Sequence, residues 1–242
     1  ALDPKTGKQL WKHYRPAKAR SESLEAFSTP MPFSHNGRDE IVIVGGDCLT
    51  GHDPKTGKEL WRWGTWNPSR IGHWRLVPSP VSGKGVLLAC GPKGAPVFAI
   101  KAGAKGDVSE DKSNIAWHSE GRRDQVTSDV STPLFYQGNF YVLYGEGRDK
   151  ILSCVDPKSG KVKWATDLES RSLFRGSPTG ADGKLYVQNH AGTVHVIDAK
   201  SGKVLHKTNM GDPGDDQTRA TIAVAHGNLF IRTNSRLYCI GS

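Results

Sequence analysis

The sequence lacks any long run of apolar residues. Of its 242 residues, 36% are hydrophobic, and no stretch approaches the ~18 consecutive apolar residues that a membrane-spanning helix needs. We therefore expect no transmembrane segment. Apolar residues also show no spacing of about 3.6 residues, so the pattern does not favour amphipathic helices.

Signatures of metal binding and catalysis are absent as well. The cysteines form no C-x-x-C pair and have no histidines at zinc-ligand spacing, so we expect buried free thiols; they are Cys48, Cys90, Cys154 and Cys239. The segment 107–113 alternates Asp and Ser but lacks the Gly and Glu of a calcium loop. No Ser-His-Asp order, phosphate-binding loop or nucleic-acid motif stands out. We predict no catalytic residue, no metal ligand and no nucleic-acid partner.

The charge balance is basic but diffuse. The formal net charge is +9, from 33 Lys and Arg against 24 Asp and Glu. Such a balance permits binding to polyanions. The lysines are spread along the chain and fall mostly in turn motifs, which is typical of a solvated surface.

What the sequence does contain is a repeat. Residues 3–11 read DPKTGKQLW and residues 53–61 read DPKTGKELW. Aligning the chain on Asp-x-x-x-Gly-Lys gives copies at Asp3, Asp53, Asp156 and Asp198, a degenerate copy at Lys101 and a last copy cut off at Gly241. The spacings of 50, 48, 55, 42 and 43 residues indicate an array of one supersecondary unit.

Each unit has the same internal order. A Ser/Thr-Pro element, which lacks the Pro in the last unit, is followed by a β-rich run, a second short run, the Asp-to-Gly turn and a strand that ends in Trp. In the fifth unit His206 takes the place of the Trp. The β-rich runs are 40–44, 85–89, 139–144, 184–188 and 228–232, and the second runs include 97–100, 151–155, 194–197 and 237–240. Four short antiparallel strands in about 45 residues are typical of a propeller blade. We predict an all-β, single-domain β-propeller over residues 1–242.

A tryptophan recurs at a fixed place in the repeat. Trp11, Trp61 and Trp164 lie eight residues after their Asp, and Trp117 follows an insertion of eight residues. A flat ring with one N–H donor can wedge between neighbouring blades and bond to a backbone carbonyl. We predict this docking role for all four.

The motif ALDPKTGKQLW resembles the tryptophan-docking repeat of the quinoprotein dehydrogenase superfamily. That superfamily includes PQQ-like (pyrroloquinoline quinone) β-propeller repeat proteins and the propeller lipoprotein of the outer-membrane-protein assembly machinery. The segment 99–117 is similar to a degenerate blade of secreted bacterial PQQ-like repeat proteins. The resemblance implies a bacterial protein that is periplasmic or secreted, with a signal peptide upstream.

The resemblance also bears on the number of blades. Five units are visible here, whereas family propellers usually have seven or eight blades. We therefore expect the C-terminal part of a longer ring that is truncated at its N-terminus. The alternative is that the two terminal pieces together close a five-bladed ring.

As a family, quinoprotein dehydrogenases hold the quinone on the propeller axis with Ca²⁺, an Asp base and basic side chains. Many alcohol dehydrogenases of the family add a disulfide between adjacent cysteines. This chain has no adjacent cysteines, and no calcium set can be matched to it. We predict a monomeric, non-catalytic binding or scaffold module without a cofactor, whose partner is a protein or an extracellular polymer. The alternative is a PQQ- and calcium-dependent alcohol or sugar dehydrogenase.

Loops that lead into the first strand of each blade line one mouth of the channel, and such loops carry function. The candidate ligand-binding residues there are Trp74, Arg75, Asp129, Arg175 and Arg219, and the segment 61–76 adds the candidates Trp63, Trp66, Arg70 and His73. Arg175 and Arg219 occupy equivalent places in neighbouring units, so they can converge on an anion or bond to loop carbonyls instead. The aromatic and basic segment 61–76 suits stacking on sugars or a protein contact, or packs over the propeller's own face.

Overall fold

A computed structural model describes residues 1–64 and 66–241, which form five β-sheets. The first sheet contains β1 (Met31–His35), β2 (Arg38–Gly45), β3 (Cys48–His52), β4 (Glu59–Trp63) and, at its edge, β8 (Gly106–Asp107). The second contains β5 (Val81–Gly83), β6 (Val86–Cys90), β7 (Val97–Lys101) and β9 (Ile115–His118). The predicted β-rich runs correspond to the second strand of each sheet, and the predicted second runs to the third.

The remaining sheets repeat the same plan. The third contains β10 (Leu134–Tyr136), β11 (Asn139–Tyr144), β12 (Ile151–Val155) and β13 (Val162–Asp167). The fourth contains β14 (Thr179–Ala181), β15 (Lys184–Gln188), β16 (Thr193–Asp198) and β17 (Val204–Asn209). The fifth contains β18 (Ala223–Ala225), β19 (Asn228–Arg232) and β20 (Leu237–Ile240). Four sheets are thus antiparallel meanders of four strands, as predicted, and the innermost strands β5, β10, β14 and β18 contact one another in order.

Helical structure is confined to two short 3₁₀ turns, Ser21–Leu24 and Lys112–Asn114. Within the described ranges, no helix is long and apolar enough to cross a membrane. The piece 1–11 forms a bridge between Leu2 and Gln9, and among the described residues no strand lies on the outer side of β20.

The hydrophobic core lies between neighbouring sheets rather than within one. Strands β6 and β12 are buried at every position, because a neighbouring sheet packs on each of the two faces of their sheets. The outer strand β13 instead alternates half-buried and exposed residues, as a strand with one solvated face does. Three of the four cysteines are buried as expected, but Cys239, on the last strand, is exposed.

The repeated Asp-to-Gly turn has a local cause. One carboxylate oxygen of Asp156 accepts the backbone N–H of Ser159 (3.0 Å), the Ser159 hydroxyl (2.9 Å) and the backbone N–H of Lys158 (3.0 Å). These hydrogen bonds, led by the Ser159 N–H, hold the pKa of Asp156 below its ordinary value. Gly160 closes the turn with φ +72°, a left-handed conformation that glycine adopts without strain.

The repeated tryptophans differ in the hydrogen-bond partner of the indole N–H. The indole Nε1 of Trp11 donates to the Pro54 carbonyl at 3.0 Å, and that of Trp117 donates to the Pro157 carbonyl at 2.8 Å. In both pairs the acceptor belongs to the turn of the following repeat. The ring of Trp164 lies against Gly202 of the following turn, but its Nε1 has no partner.

Trp61 departs from this pattern. Its Nε1 donates to the Glu40 carboxylate at 2.5 Å within its own sheet, and the side chain is 1% exposed. The turn of the following repeat is the degenerate A-I-K-A-G-A sequence, which has no Asp-Pro element to offer a carbonyl. The expectation of a backbone partner in the next blade is therefore wrong for Trp61, and it is wrong for Trp164, whose Nε1 has no partner among the described residues.

A chain of hydroxyl hydrogen bonds joins the innermost elements of successive sheets. The backbone N–H of Thr29 donates to the Ser79 hydroxyl at 2.8 Å, and Ser79 N–H donates to the Thr132 hydroxyl at 3.0 Å. Thr132 N–H donates to Ser177, and Ser177 N–H to Thr221, each at 3.0 Å. We call these five residues the hydroxyl belt. The belt explains why each repeat places Ser or Thr at this position.

Candidate functional site

The loops that lead into the first strands lie at the same end of the sheets as the turns between second and third strands. Phe174 N–H donates to the Gly145 carbonyl at 3.0 Å, and His190 N–H donates to the Leu173 carbonyl at 2.8 Å. Thr218 N–H in turn donates to the His190 carbonyl at 3.0 Å. These contacts join the two kinds of loop into one surface, which we call the mouth.

The centre of the mouth is an ion pair beside a buried histidine. Arg175 is half-buried, and its Nε donates to Glu146 Oε1 at 2.8 Å. This hydrogen bond raises the pKa of the Arg175 guanidinium. His190 is 6% exposed, and its Nε2 has no hydrogen-bond partner. Burial, and then the charges of Arg175 and Arg219, lower the pKa of His190, so the imidazole is neutral at pH 7.

Two further predicted residues belong to this surface. Asp129 Oδ1 accepts the Lys93 backbone N–H at 2.6 Å, and its charge acts on Arg175. Arg219 is exposed, and its guanidinium donates to the Gln217 side chain at 2.9 Å. The structure therefore brings Asp129, Arg175 and Arg219 to one electrostatic neighbourhood. Among the described residues, neither arginine side chain donates to a loop carbonyl, which was the alternative interpretation.

Glu146 and His190 were missed by the sequence interpretation. Each is the second residue after the second strand of its sheet, following Tyr144 and Gln188. No motif distinguishes them. Only an alignment of these turns across repeats could have indicated that they meet the loops carrying the arginines.

The structure corrects the interpretation of Trp63 and Trp66. Their rings pack 4.9 Å apart, Trp63 also packs 4.9 Å from Phe98, and the side chains are 0% and 5% exposed. Ala104 and Val108, from the insertion in the second repeat, belong to the same core cluster. Both rings are part of the hydrophobic core and have no face to offer a sugar, a base or a partner.

The rest of the 61–76 segment bonds to the N-terminal loop. Arg75 pairs with Glu22 at 2.7 Å, and the Trp74 backbone N–H donates to the Ser23 hydroxyl at 2.8 Å. Trp74 is half-buried and His73 is exposed. Among the described residues, none of these three makes a hydrogen bond to the Arg175 cluster.

Arg70 lies at the edge of a polar cavity of about 280 Å³ in the first two repeats. Its Nε donates to the Lys18 carbonyl at 2.6 Å. On the wall, Asp47 accepts the Asn67 amide at 2.8 Å, and burial raises the pKa of Asp47. Arg70 is thus a loop-bonding arginine on another part of the surface.

A calcium ion and a quinone, as held by the quinoprotein dehydrogenases, would need carboxylates in the mouth that are available to bind the metal. Two carboxylates of the mouth already have partners, because Glu146 binds Arg175 and Asp129 binds a backbone N–H. In residues 1–64 and 66–241, no three His, Cys, Asp or Glu side chains are grouped so that they could hold a metal ion. In segment 107–113, Asp107 and Asp111 accept the backbone N–H groups of Ser109 and Ser113. The residues present do not fit a calcium–quinone pair.

Comparison with solved structures shows the fold. BamB from Moraxella catarrhalis matches with a TM-score of 0.65 at 15% identity, over 96% of this chain and 62% of that one. Quinohemoprotein alcohol dehydrogenase from Comamonas testosteroni matches with a TM-score of 0.66 at 14% identity, over 95% of this chain and 48% of that one. Sqt1 from Saccharomyces cerevisiae matches with a TM-score of 0.67 at 12% identity, over 99% and 64%. The chain thus spans about half to two thirds of the length of these proteins.

No curated protein matches the chain in sequence. A family model does, and it is described as outer membrane protein assembly factor BamB. It matches residues 1–112 and again residues 104–240, which together cover almost the whole sequence. The fold, the repeat and this match agree, and the chain belongs to the BamB-like family of PQQ-like β-propeller proteins.

Proposed function

We propose that this chain is a non-catalytic β-propeller platform that binds a protein partner at the mouth. The observation that carries the proposal is the cluster of Arg175, His190 and Arg219. Arg175 is held in place by Glu146, while Arg219 is exposed and, among the described residues, takes part in no ion pair. An exposed arginine beside a fixed one is suited to bind a carboxylate through charge-assisted hydrogen bonds.

The residues that precede the hydroxyl belt favour a partner with both acidic and apolar side chains. The residue two positions before each belt residue is Phe27, Val77, Val130, Arg175 and Arg219 in successive repeats. Phe27 is 59% exposed, and the two valines are half-buried. An apolar arc is therefore followed by a cationic arc around the same ring of positions. An acidic peptide segment with apolar side chains complements both arcs.

The dehydrogenase alternative has less support. A quinone site needs carboxylates for its metal, and two carboxylates of the mouth, Glu146 and Asp129, are bonded to Arg175 and to the backbone. A matching family model described as an outer membrane protein assembly factor also supports a partner-binding role and a periplasmic or secreted location.

Fluorescence anisotropy of a labelled peptide tests the proposal. The peptide alternates Glu with Leu and Phe, and a second peptide carries Lys in place of Glu. We expect saturable binding of the acidic peptide only, and at least a tenfold loss in Arg219→Glu. The matched control is Lys158→Glu, which makes the same charge change in the Asp156 turn at the other end of the sheets.

Two results would overturn the proposal. One is that the acidic and the basic peptide bind equally well, or that R219E and K158E bind the acidic peptide with the same affinity. The other is a calcium-dependent rise in melting temperature with PQQ, which would favour the dehydrogenase.

A further inference from the structure

A second cavity lies apart from the Arg175 cluster, between the loop that follows β9 and the turn between β11 and β12. Its volume is about 280 Å³, at the small end of ligand sites. Its polar lining residues are Arg122, Gln125, Thr127, Tyr144, Arg148 and Asp149. In the β11–β12 turn, Glu146 bonds to Arg175 of the mouth, whereas Arg148 and Asp149 line this cavity.

Arg122 is exposed, and its side chain packs on an aromatic ring and on the backbone of Gly94. Its guanidinium lies over the Tyr144 ring, 5.5 Å from the centroid. Its stem crosses Gly94 so closely that a Cβ there would lie 2.7 Å from Arg122 Cδ. Among the described residues, no ion pair includes Arg122 or Arg148. An arginine packed in this way retains its donors for a ligand and loses less entropy on binding than an unpacked one.

The β11–β12 turn forms the opposite wall of the cavity, and the buried Lys150 bonds to its backbone. Lys150 is 3% exposed, and its ammonium donates to the carbonyls of Gly147 and Arg148. A Cβ at Gly147 would lie 2.8 Å from the Tyr144 hydroxyl oxygen, so the glycine leaves room for that hydroxyl. These contacts hold the backbone of the turn, and the exposed side chains of Arg148 and Asp149 line the cavity. With Arg122, Arg148 and Lys150 against Asp149, the charge at the cavity is positive.

We propose that this cavity binds a sugar acid. The ligand's carboxylate bonds to the guanidinium groups of Arg122 and Arg148, and its hydroxyls donate to Asp149 and bond to the Gln125 amide. A carboxylate alone would leave Asp149 as a like charge at short range, whereas a hydroxyl donor turns that carboxylate into a partner. The single acid among basic groups is what favours a uronic acid over an acidic peptide.

The size of the cavity agrees with this ligand. About 280 Å³ accommodates one hexuronate unit with its hydrating water, and it is too small for a folded segment of a protein. The same unit can be a free sugar acid or part of an acidic polysaccharide, since both present one carboxylate and adjacent hydroxyls.

Saturation-transfer-difference NMR on the 242-residue chain tests the proposal at constant ionic strength. The probes are glucuronate, glucose, acetate, galacturonate and a trigalacturonate. We expect saturable glucuronate binding, with glucose and acetate at least tenfold weaker. Stronger binding of trigalacturonate than of galacturonate supports a polysaccharide source, and equal binding supports a free sugar acid.

Variants then assign the binding to the cavity. Arg122→Gln and Arg148→Gln should each weaken glucuronate binding at least tenfold, and Asp149→Asn should remove the preference for glucuronate over acetate. Arg123→Gln, an exposed neighbour that does not line the cavity, should bind as wild type. Thermal melting checks that each variant is folded, and Arg148, on an exposed turn, provides a second test if R122Q does not fold.

The proposal is overturned by three results. These are no saturable glucuronate binding by the folded wild type, acetate binding as strong as glucuronate binding, or unchanged binding in folded R148Q. Arg219→Glu alters the mouth and should leave glucuronate binding intact, so failure of the mouth proposal is distinguishable from failure of this one.

Discussion

The backbone N–H of Ser79 donates to the hydroxyl of Thr132, 3.0 Å away in the next repeat. Thr132 uses its own N–H in the same way toward Ser177. One residue therefore acts as acceptor for the preceding sheet and as donor to the following one. Because each bond joins two sheets, the belt couples the stability of every blade to that of its neighbours, as expected for a repeat array.

Thr132→Val should destabilise the chain. Valine keeps the shape of threonine but removes the acceptor of the Ser79 N–H, which is half-buried. We expect a loss of about 1–2 kcal/mol in the free energy of unfolding. Thr132→Ser keeps the hydroxyl and should cost less than half as much. Urea unfolding measures both, and equal stability of the Val and Ser variants would contradict the belt.

Replacement of two docking tryptophans by phenylalanine should give unequal effects. Trp117→Phe removes the bond from Nε1 to the Pro157 carbonyl and leaves that carbonyl without the indole, while Trp164→Phe removes an Nε1 that has no partner. Both changes also remove part of an aromatic ring. We expect W117F to lose about 1 kcal/mol more than W164F in unfolding free energy. Equal losses would show that the indole bond does not contribute.

Gly160→Ala should be more destabilising than Gly183→Ala. The two glycines have φ of +72° and +70°, so the backbone strain of alanine is about 1–2 kcal/mol at each. Only at Gly160 does the new Cβ meet the Trp117 ring, with Cδ2 at 2.7 Å, whereas at Gly183 nothing lies within 4 Å. The difference in unfolding free energy between the two variants therefore measures the ring contact, and we expect it to exceed about 1 kcal/mol.

The repeat made the fold predictable from sequence because its signals are local. The Asp-to-Gly turn is closed by hydrogen bonds within five residues, and the Ser/Thr-Pro element marks the start of four of the five innermost strands. The strands predicted between these signals are the strands observed. Trp117, displaced by its insertion, still bonds to the next turn, since the register depends on the strand rather than on the distance from Lys101.

The site was less predictable because it depends on contacts distant in sequence. Trp63 and Trp66 stand among basic residues, and nothing near them indicates that Ala104 and Val108 belong to the same core. Strand β8 of the same insertion pairs in parallel with β4, an arrangement without a sequence motif. Arg175 and Arg219 could be grouped because they occupy equivalent repeat positions. Glu146 and His190 belong to no motif, and only an alignment of the turns between second and third strands across repeats could have grouped them.

The free energy of unfolding should fall as the pH falls from about 6.5 to about 4. In this range His195 is neutral in the folded state but protonated in the unfolded state. This side chain is 0% exposed, and burial, followed by the charge of Lys207, lowers the pKa of His195 to about 4. In the unfolded chain a histidine has a pKa of about 6.5. Between these values the unfolded state binds the proton and the folded state does not, so the stabilisation is complete above about pH 6.5 and is lost toward pH 4.

The size of this effect can be measured by removing the titrating group. Between pH 7 and pH 4, protonation of His195 in the unfolded state should lower the wild-type free energy of unfolding by about 3 kcal/mol. His195→Gln offers a polar group to the Leu168 carbonyl, which His195 Nε2 contacts at 3.1 Å, and does not titrate. Some slope will remain in H195Q, because burial also lowers the pKa of His52 and of His190. Urea unfolding at pH 7, 6, 5 and 4 should show a shallower dependence for H195Q than for the wild type. Parallel curves would mean that His195 is hydrated or protonated in the folded protein.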